Sequence, residues 1–393
     1  MSAERVDQKE NGDRGSPLSG VRVLDFTQNV AGPFATMVLA DLGADVIKVE
    51  APGLGDATRG WGPPFPFGEG ASFVALNRNK RSIELDLGTS HDRMVARRLI
   101  QRSDVVVESM RPGVMEEFTL GPNAAFELNP RLIYCSISAF GTTPSRASQP
   151  GYDPLIQASA GMMQVTGSRD GEPVRVGVSI IDQTTGLWSA LGILASLRSV
   201  DAGQGGTWLK ATLFETGLAW MGYHAVGYWA NGEEPERWGT GMATIVPYQG
   251  FHTSDGLVMI AAGNDSLFER LASALDVKEL ATDSRFRSNG DRVQNRQLLI
   301  PLLEECTKRF TNSELITKLQ QLRVPCAEIR SLGSVLNDPE VQHSGIIQEF
   351  DFDGSNARTI GTPLVFGQKR CEVRLPPPRF GEHTQEILHE LEV

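Results

Sequence analysis

Val21-Arg22-Val23-Leu24-Asp25-Phe26, then Ala31-Gly32-Pro33, then Asp45-Val46-Ile47-Lys48-Val49-Glu50: these pieces of one stretch decide the fold. The first six residues read as a strand. Ala31-Gly32-Pro33 is a turn with proline placed for a first helical position. Phe34, Met37, Val38, Leu39 and Leu42 form an apolar helical stripe that Gly43 ends. The last six residues, rich in Val and Ile, are a second strand.

The alternation continues outward. Residues 82–87 read as a strand segment, and 90–102 as a helix with Val95, Leu99 and Ile100 inward. Residues 105–107 and 132–135 are further apolar strands, and 208–213 another. Such alternation predicts an open parallel sheet covered on both faces, with ligands beyond the carboxyl ends of its strands. A dinucleotide site is argued against. Glu50 ends the second strand about where a ribose-binding acid would stand, but Thr27-Gln28-Asn29-Val30-Ala31-Gly32-Pro33 holds no GxGxxG to wrap a pyrophosphate.

From about residue 235 the pattern changes. Residues 248–252 and 257–262 flank Ser254-Asp255-Gly256, a hairpin signal. Helices are predicted at 265–275, 293–309 and 312–322, the last opening on the capping sequence Thr311-Asn312-Ser313-Glu314. Residues 324–329 read as a strand returning to the large sheet. Beyond them the chain reads as irregular, with a short terminal helix from Thr384.

Of the 393 residues, 40 % are hydrophobic and 22 % charged, the profile of a globular protein with a sizeable core. A formal net charge of −11 argues against nucleic-acid binding. Cys135, Cys306, Cys326 and Cys371 form no CxxC pair and read as buried thiols in a reducing compartment. Scattered histidines predict no metal site. Residues 1–16 read as a disordered tail, neither signal nor transit peptide. No apolar run is long enough to span a bilayer. These features predict a cytoplasmic enzyme with no membrane partner.

The chemistry centres on Gly177-Val178-Ser179-Ile180-Ile181-Asp182-Gln183-Thr184-Thr185-Gly186. Residues 178–181 read as a short buried strand, followed by a helix carrying Leu187, Leu191, Leu194 and Leu197. Asp182 at the junction would face free helix amides, which favour its negative charge. An aspartate there is often only an N-cap. An ionised, exposed carboxylate at such a turn is also a plausible nucleophile toward an activated acyl group.

Several motifs together resemble the class III CoA-transferases, a group that includes formyl-CoA, carnitine and succinyl-dependent dicarboxylate CoA-transferases and the α-methylacyl-CoA racemases. They are Val23-Leu24-Asp25-Phe26-Thr27 with Ala31-Gly32-Pro33, the 42–50 stretch, and Gly55-Asp56-Ala57-Thr58-Arg59. Asn77-Arg78-Asn79-Lys80-Arg81-Ser82, Val107-Glu108-Ser109-Met110-Arg111-Pro112-Gly113 and Gly151-Tyr152-Asp153 complete the set. Arg237-Trp238-Gly239-Thr240, Ile245-Val246-Pro247-Tyr248-Gln249 and Ala262-Gly263-Asn264 look most like the succinyl-CoA:glutarate type, which also handles itaconate.

The resemblance implies an α/β fold. A Rossmann-like large domain with an open parallel sheet would comprise 17–205 and a return over 323–393, with a smaller α+β central domain at 225–322. An interlocked homodimer is implied too. CoA thioesters and carboxylic acids would be the only small-molecule partners, with no permanently bound cofactor. Asp182 falls on the family's nucleophile. Val30, Ala31, Leu85, Ser109, Met110 and Ser138 fall on CoA contacts. Two basic positions of the formyl-CoA enzyme fall on Ala51 and Glu117, leaving Lys80, Arg81 and Arg111 as possible phosphate partners. Gly239 and Gln249 bound a segment matching the family's mobile loop. Tyr152 stands where the racemases carry a histidine, and a phenol of pKa about 10 is a poor base, favouring transfer over the alternative of racemisation. For a dicarboxylate's far end, Arg59, Arg175 and Arg237 are the candidate forks.

Overall fold

The computed structural model describes residues 16–53, 55–141, 145–147 and 149–393. The expected tail, Ser16 apart, lies outside these residues. The chain forms two compact units. One comprises Met1–Ala160, Val178–Trp220 and Glu340–Val393, and the other Gly161–Gly177 and Met221–Pro339. The central unit therefore extends past residue 322 to Pro339 and also takes in Gly161–Gly177.

In the first unit β1 (Arg22–Phe26), α1 (Ala31–Asp41), β2 (Asp45–Glu50), β3 (Lys80–Glu84), β4 (Val105–Glu108) and β5 (Ile133–Ser138) follow in order. After them come α2 (Asp153–Ser159), α3 (Ile180–Asp201), β6 (Thr207–Thr212) and α4 (Leu213–Trp220). Among the described residues the sheet has six strands in the order β3-β2-β1-β4-β5-β6. Every pairing is parallel, with Leu24 opposite both Ile47 and Val106. Continuous apolar runs such as 105–107 are buried because helices cover both faces. The strand order reverses between β1 and β4, so the loops after these two strands diverge and leave a crevice at the carboxyl edge.

Helices α1 and α3 are crossovers between parallel strands. Both run back from the carboxyl edge and so lie parallel to each other. They pack closely through Gly186, where an added Cβ would lie 2.6 Å from the Ala31 carbonyl oxygen and 3.1 Å from the Ala35 nitrogen.

Three sequence expectations are corrected. Residues 178–181 do not form a buried strand: Val178 is 57 % exposed and helix α3 already begins at Ile180. The strand expected at 324–329 does not return to the large sheet. It is β9, described below, and belongs to the central unit. Nor is the C-terminal part irregular. Ile347–Phe352 and Ser355–Ile360 pair as an antiparallel hairpin that packs Phe350 and Phe352 with Val74. The helix Thr384–Glu390 is present, and Arg81 ties it to the sheet through Glu386 and Glu390.

In the second unit β7 (Tyr248–His252) and β8 (Leu257–Ala261) form the expected hairpin, followed by α5 (Asn289–Gln294) and α6 (Arg296–Thr307). Strand β9 (Cys326–Glu328) pairs antiparallel with β8, Ile260 facing Cys326. The capping box at Thr311 and Glu314 is formed. Cys135 and Cys306 are buried, whereas Cys326 and Cys371 are only half-buried, and all four are free. Among the described residues no helix is long and apolar enough to cross a membrane.

The α1–α3 contact gives a direct test. Helix propensity alone favours Ala over Gly by about 1 kcal/mol, but a Cβ at residue 186 meets backbone that cannot turn aside. Gly186→Ala should therefore destabilise by about 1–3 kcal/mol in urea unfolding, whereas Gly177→Ala, with nothing within 4 Å, should be neutral or slightly stabilising. Equal midpoints for the two variants would contradict the packing argument.

Candidate active site

Asp182 lies in the first turn of α3, not at the N-cap, which is Ser179 and makes no side-chain cap. The free amides of that turn are taken by another acid. Asp153 Oδ2 accepts from the amides of Ile181 at 2.8 Å and Asp182 at 3.3 Å, while its Oδ1 accepts from Gln157 Nε2 at 2.5 Å. Asp153 is thus the residue that caps the helix, a role only its place in Gly151-Tyr152-Asp153 hinted at. The Asp182 carboxyl is half-buried and has no hydrogen-bond or ion-pair partner among the described residues. Burial, followed by the nearby charge of Asp153, pushes its pKa up to about 7. This corrects the expectation of an exposed, helix-stabilised anion, because Asp153 occupies the stabilising amides itself.

Asp25 shows what a supported carboxylate looks like in the same unit. Its burial opposes ionisation, yet Lys80, Lys48 and the hydroxyls of Thr27 and Thr36 hold its pKa down at about 2. Asp182 has no such support. An unsupported titratable group in a ligand-binding region is a candidate for chemistry. One turn separates it from Gly186, so it sits at the carboxyl end of the sheet, near the start of α1. That start has no side-chain cap, and the amides of Ala31 and Gly32 have no acceptor among the described residues. They are free to receive negative charge.

The loop after β1 carries Val30 and Ala31 and is clamped from below. Lys48 Nζ donates to the Thr27 carbonyl at 2.8 Å and pairs with Asp56 at 2.9 Å. Asp56 in turn accepts from the amide of Asn29, whose φ is 68°. Across the crevice, the Gln28 amide donates to Ser109 Oγ at 3.2 Å. Leu85 is buried in the sheet core, leaving chiefly its backbone to meet a ligand. Lys80 is corrected as a phosphate partner: it is fully buried and donates to Asp25, the Pro33 carbonyl and Asn77. Arg81 is likewise occupied, by Asp45, Glu386 and Glu390. Arg59 is corrected as a substrate fork. It pairs with Glu50 at 2.7 Å and Glu69 at 2.8 Å, and its guanidinium stacks 3.7 Å from the Phe73 ring centre.

Beyond β4, β5 and β6 lies a cavity of about 160 Å³ whose lining includes Met110, Arg111, Ser138, Glu108, Trp208 and Lys210. Three predicted CoA contacts thus meet in one place. The Arg111 side chain is exposed and without a partner among the described residues. Burial raises Glu108 to about 7, against the hydroxyl of Ser136 and the amide of Met110. Trp208 and Lys210, stacked with Nζ 3.7 Å from the ring centre, were missed in the sequence. Their alternate placement along a strand at the sheet edge was the available signal.

Tyr152 is 53 % exposed and precedes α2. In the second unit Arg237 is corrected as a free fork. Its guanidinium donates to the carbonyls of Gln164 at 3.2 Å, Ser168 at 3.4 Å and Gly171 at 3.0 Å. Arg175 is exposed and has no partner among the described residues. Gly239 has φ 60°, and its amide donates to the Gly167 carbonyl at 2.8 Å. Gln249 lies on β7 opposite Ile260.

A parallel sheet with this crevice, an isolated acid at its carboxyl edge and the motifs above define an acyl-group-handling enzyme of one class: the chain belongs to CoA-transferase family III, whose model matches residues 18–384. It is a CoA-transferase, with CoA thioesters as substrates. Among its relatives is the succinyl-CoA:glutarate CoA-transferase of Mus musculus, 37 % identical over 96 % of this chain and 87 % of the relative. The succinyl-CoA:mesaconate CoA-transferase of Haloarcula hispanica is 36 % identical over 95 % of this chain and 96 % of its own. The crystal structure of a CAIB/BAIF family protein from Brucella suis is similar with a TM-score of 0.85 and 38 % identity, covering 96 % of this chain and all of that one.

The raised pKa of Asp182 predicts a stability effect independent of activity. Between the ordinary aspartate value and about 7, the folded state keeps a proton that the unfolded chain has lost. Stability therefore falls as pH rises through that window and levels off above it. Asp182→Asn should exceed the parent by about 1–2 kcal/mol at pH 8, after discounting for partial solvation. The two should unfold at the same urea concentration below about pH 4. A gain of the same size at both pH values would disprove the titration argument.

Proposed function

We propose that this enzyme moves CoA from succinyl-CoA to a small dicarboxylate of the glutarate or itaconate kind, with Asp182 as the covalent relay. The ionised carboxylate attacks the thioester carbonyl, and CoA thiolate leaves from an aspartyl–succinyl anhydride. The thiolate then attacks the aspartyl carbonyl, releasing succinate and leaving an aspartyl–CoA thioester. The acceptor carboxylate attacks this thioester, and the freed thiolate takes the acceptor's acyl carbon, restoring Asp182. The observation that carries this reading is the Asp182 carboxyl itself, unpartnered and half-buried beside the uncapped start of α1. A poorly solvated carboxylate gives up little hydration on attack, and free amides of Ala31 and Gly32 suit a developing oxyanion.

Two further parts of the proposal rest on what is left unpaired. Arg111 is the cation favoured for the CoA phosphates, since Lys80 and Arg81 are committed elsewhere. Arg175 is the fork favoured for the acceptor's far carboxylate, since Arg59 and Arg237 are occupied. A homodimer is supported by the exposed apolar face of α3 and α4, where Leu187, Trp188, Leu191 and Trp220 are each about half exposed.

The direct test is transfer from labelled succinyl-CoA. Asp182→Asn should lower kcat by about 10³-fold or more. For the parent, kcat/KM should rise with pH and level off above about 7, because only the ionised carboxylate attacks. Asp153→Asn should move this limb to lower pH by removing one of its two causes. Borohydride trapping during turnover with no modification at residue 182 would rule the relay out.

Acceptor recognition is tested separately. Arg175→Ala should raise the KM for glutarate or itaconate about tenfold or more while leaving that for succinyl-CoA within about twofold. Unchanged acceptor kinetics would remove Arg175 from the site.

A further inference from the structure

Gly186 packs on α1 beside Ala31 and Ala35. Asp182 stands four residues earlier on a parallel helix, about 6 Å nearer the carboxyl edge of the sheet. The chain level with it is therefore the loop 27–30 that opens α1, rather than α1 itself. Where this loop sits decides where the free amides of Ala31 and Gly32 point. Its backbone is not one the chain adopts unaided: Asn29 has φ 68°, a left-handed conformation uncommon for a residue with a side chain.

One buried ion pair grips this loop at two points. Lys48 on β2 and Asp56, which caps the short helical turn Ala57–Gly60, are both fully buried and lie 2.9 Å apart. Lys48 Nζ donates to the Thr27 carbonyl at 2.8 Å, and Asp56 Oδ1 accepts from the Asn29 amide at 3.2 Å. Asp56 is itself fixed, since it accepts from the Thr58 amide and its own amide donates to Glu50 Oε2, both at 2.9 Å. Burial works against both charges. Asp56, then Asp25 and Glu50, nevertheless hold Lys48 above the usual lysine value, and Lys48 holds Asp56 below the usual carboxylate range. Such a pair adds little net stability once its desolvation is counted. What it does supply here is a defined place for residues 27 and 29.

We infer that Lys48 and Asp56 act together as a positioning pair for the reaction, holding loop 27–30 so that the amides of Ala31 and Gly32 are aimed at the carbonyl that Asp182 attacks. The inference rests on the transferase reading, with Asp182 as the attacking group and these amides as oxyanion donors. Donors fixed before the reaction need no reorganisation when charge develops, which is where their catalytic value lies. Neither residue of the pair touches substrate, and neither is among the causes of the raised Asp182 pKa.

The test is steady-state transfer from succinyl-CoA by the intact protein. Lys48→Met and Asp56→Ala should each lower kcat about 100-fold, with KM for succinyl-CoA moving by no more than about threefold. The pH limb of kcat/KM should stay at about 7 while its plateau drops, because the pair acts on the loop and not on Asp182. The double variant should lose no more than Lys48→Met alone, since the two residues work as one unit. Should these variants fail to fold, Asp56→Asn keeps an acceptor for the Asn29 amide and should still cost about tenfold in kcat. A folded variant with unchanged kcat, a limb moved along the pH axis, or losses that simply add would overturn the inference. If no donor and acceptor pair turns over even with the parent, the transferase reading fails. Hydrogen–deuterium exchange at residues 27–32, expected about tenfold faster in Asp56→Ala, then still decides whether the pair holds the loop.

Discussion

The close approach of α1 and α3 at Gly186 is the constraint on which the rest of the first unit depends. A glycine one turn after Asp182 lets α3 settle against the backbone of α1. Because both helices run back from the carboxyl edge, that contact brings the isolated acid level with the loop after β1. Any side chain at residue 186 would push the helices apart and take Asp182 away from the free amides of Ala31 and Gly32. The surroundings of Asp182 are thus set by the absence of a side chain one turn further along the helix.

Around that contact the unit divides its charges into two kinds. Asp25, Lys48, Asp56 and Lys80, with Arg59 and Glu50, pair with one another beneath the sheet edge and fix the backbone of the loop above. Removing one partner of such a buried pair leaves the other uncompensated, which is far more costly than the pair's net worth. Asp182, Arg111 and Arg175 are ionisable groups with no counterpart among the described residues. A protein tolerates a few such groups where a ligand is to complete them. Burial raises both carboxyls, and the contrast between Asp25 at about 2 and Asp182 at about 7 arises because Lys80, Lys48 and two hydroxyls offset it at Asp25 while the charge of Asp153 adds to it at Asp182.

Much of this was legible in the sequence. The strands at 22–26 and 45–50, the hairpin around Ser254 and the capping box at Thr311 were read from periodicity and turn chemistry, which are local. What failed was nonlocal. Residues 178–181 have a strand's composition, but Asp153, nearly thirty residues earlier, takes the amides of Ile181 and Asp182 and starts the helix sooner. Residues 324–329 make a good strand, yet the sequence does not say which sheet will accept it. Lys80, Arg59 and Arg237 look like ligand-binding cations until their partners are seen. The cavity residues Trp208 and Lys210 were hard to read as a site because their strand is the sixth of the sheet, and only its parallel pairing with β5 aligns them with Tyr134 and Ser136.

The commitment of Arg59, Lys80 and Arg81 to internal pairs has an evolutionary consequence. These three charged residues of the recognisable motifs build the scaffold, and under the proposed reading the residue that chooses the carboxylic acid, Arg175, lies outside the motifs, on exposed ground. Selection can then change the acid a lineage accepts while the diagnostic motifs stay the same. Under that reading, enzymes with matching signatures would be expected to diverge in substrate, and an exposed arginine such as Arg175 would be a better guide to what each consumes than the motifs by which it is recognised.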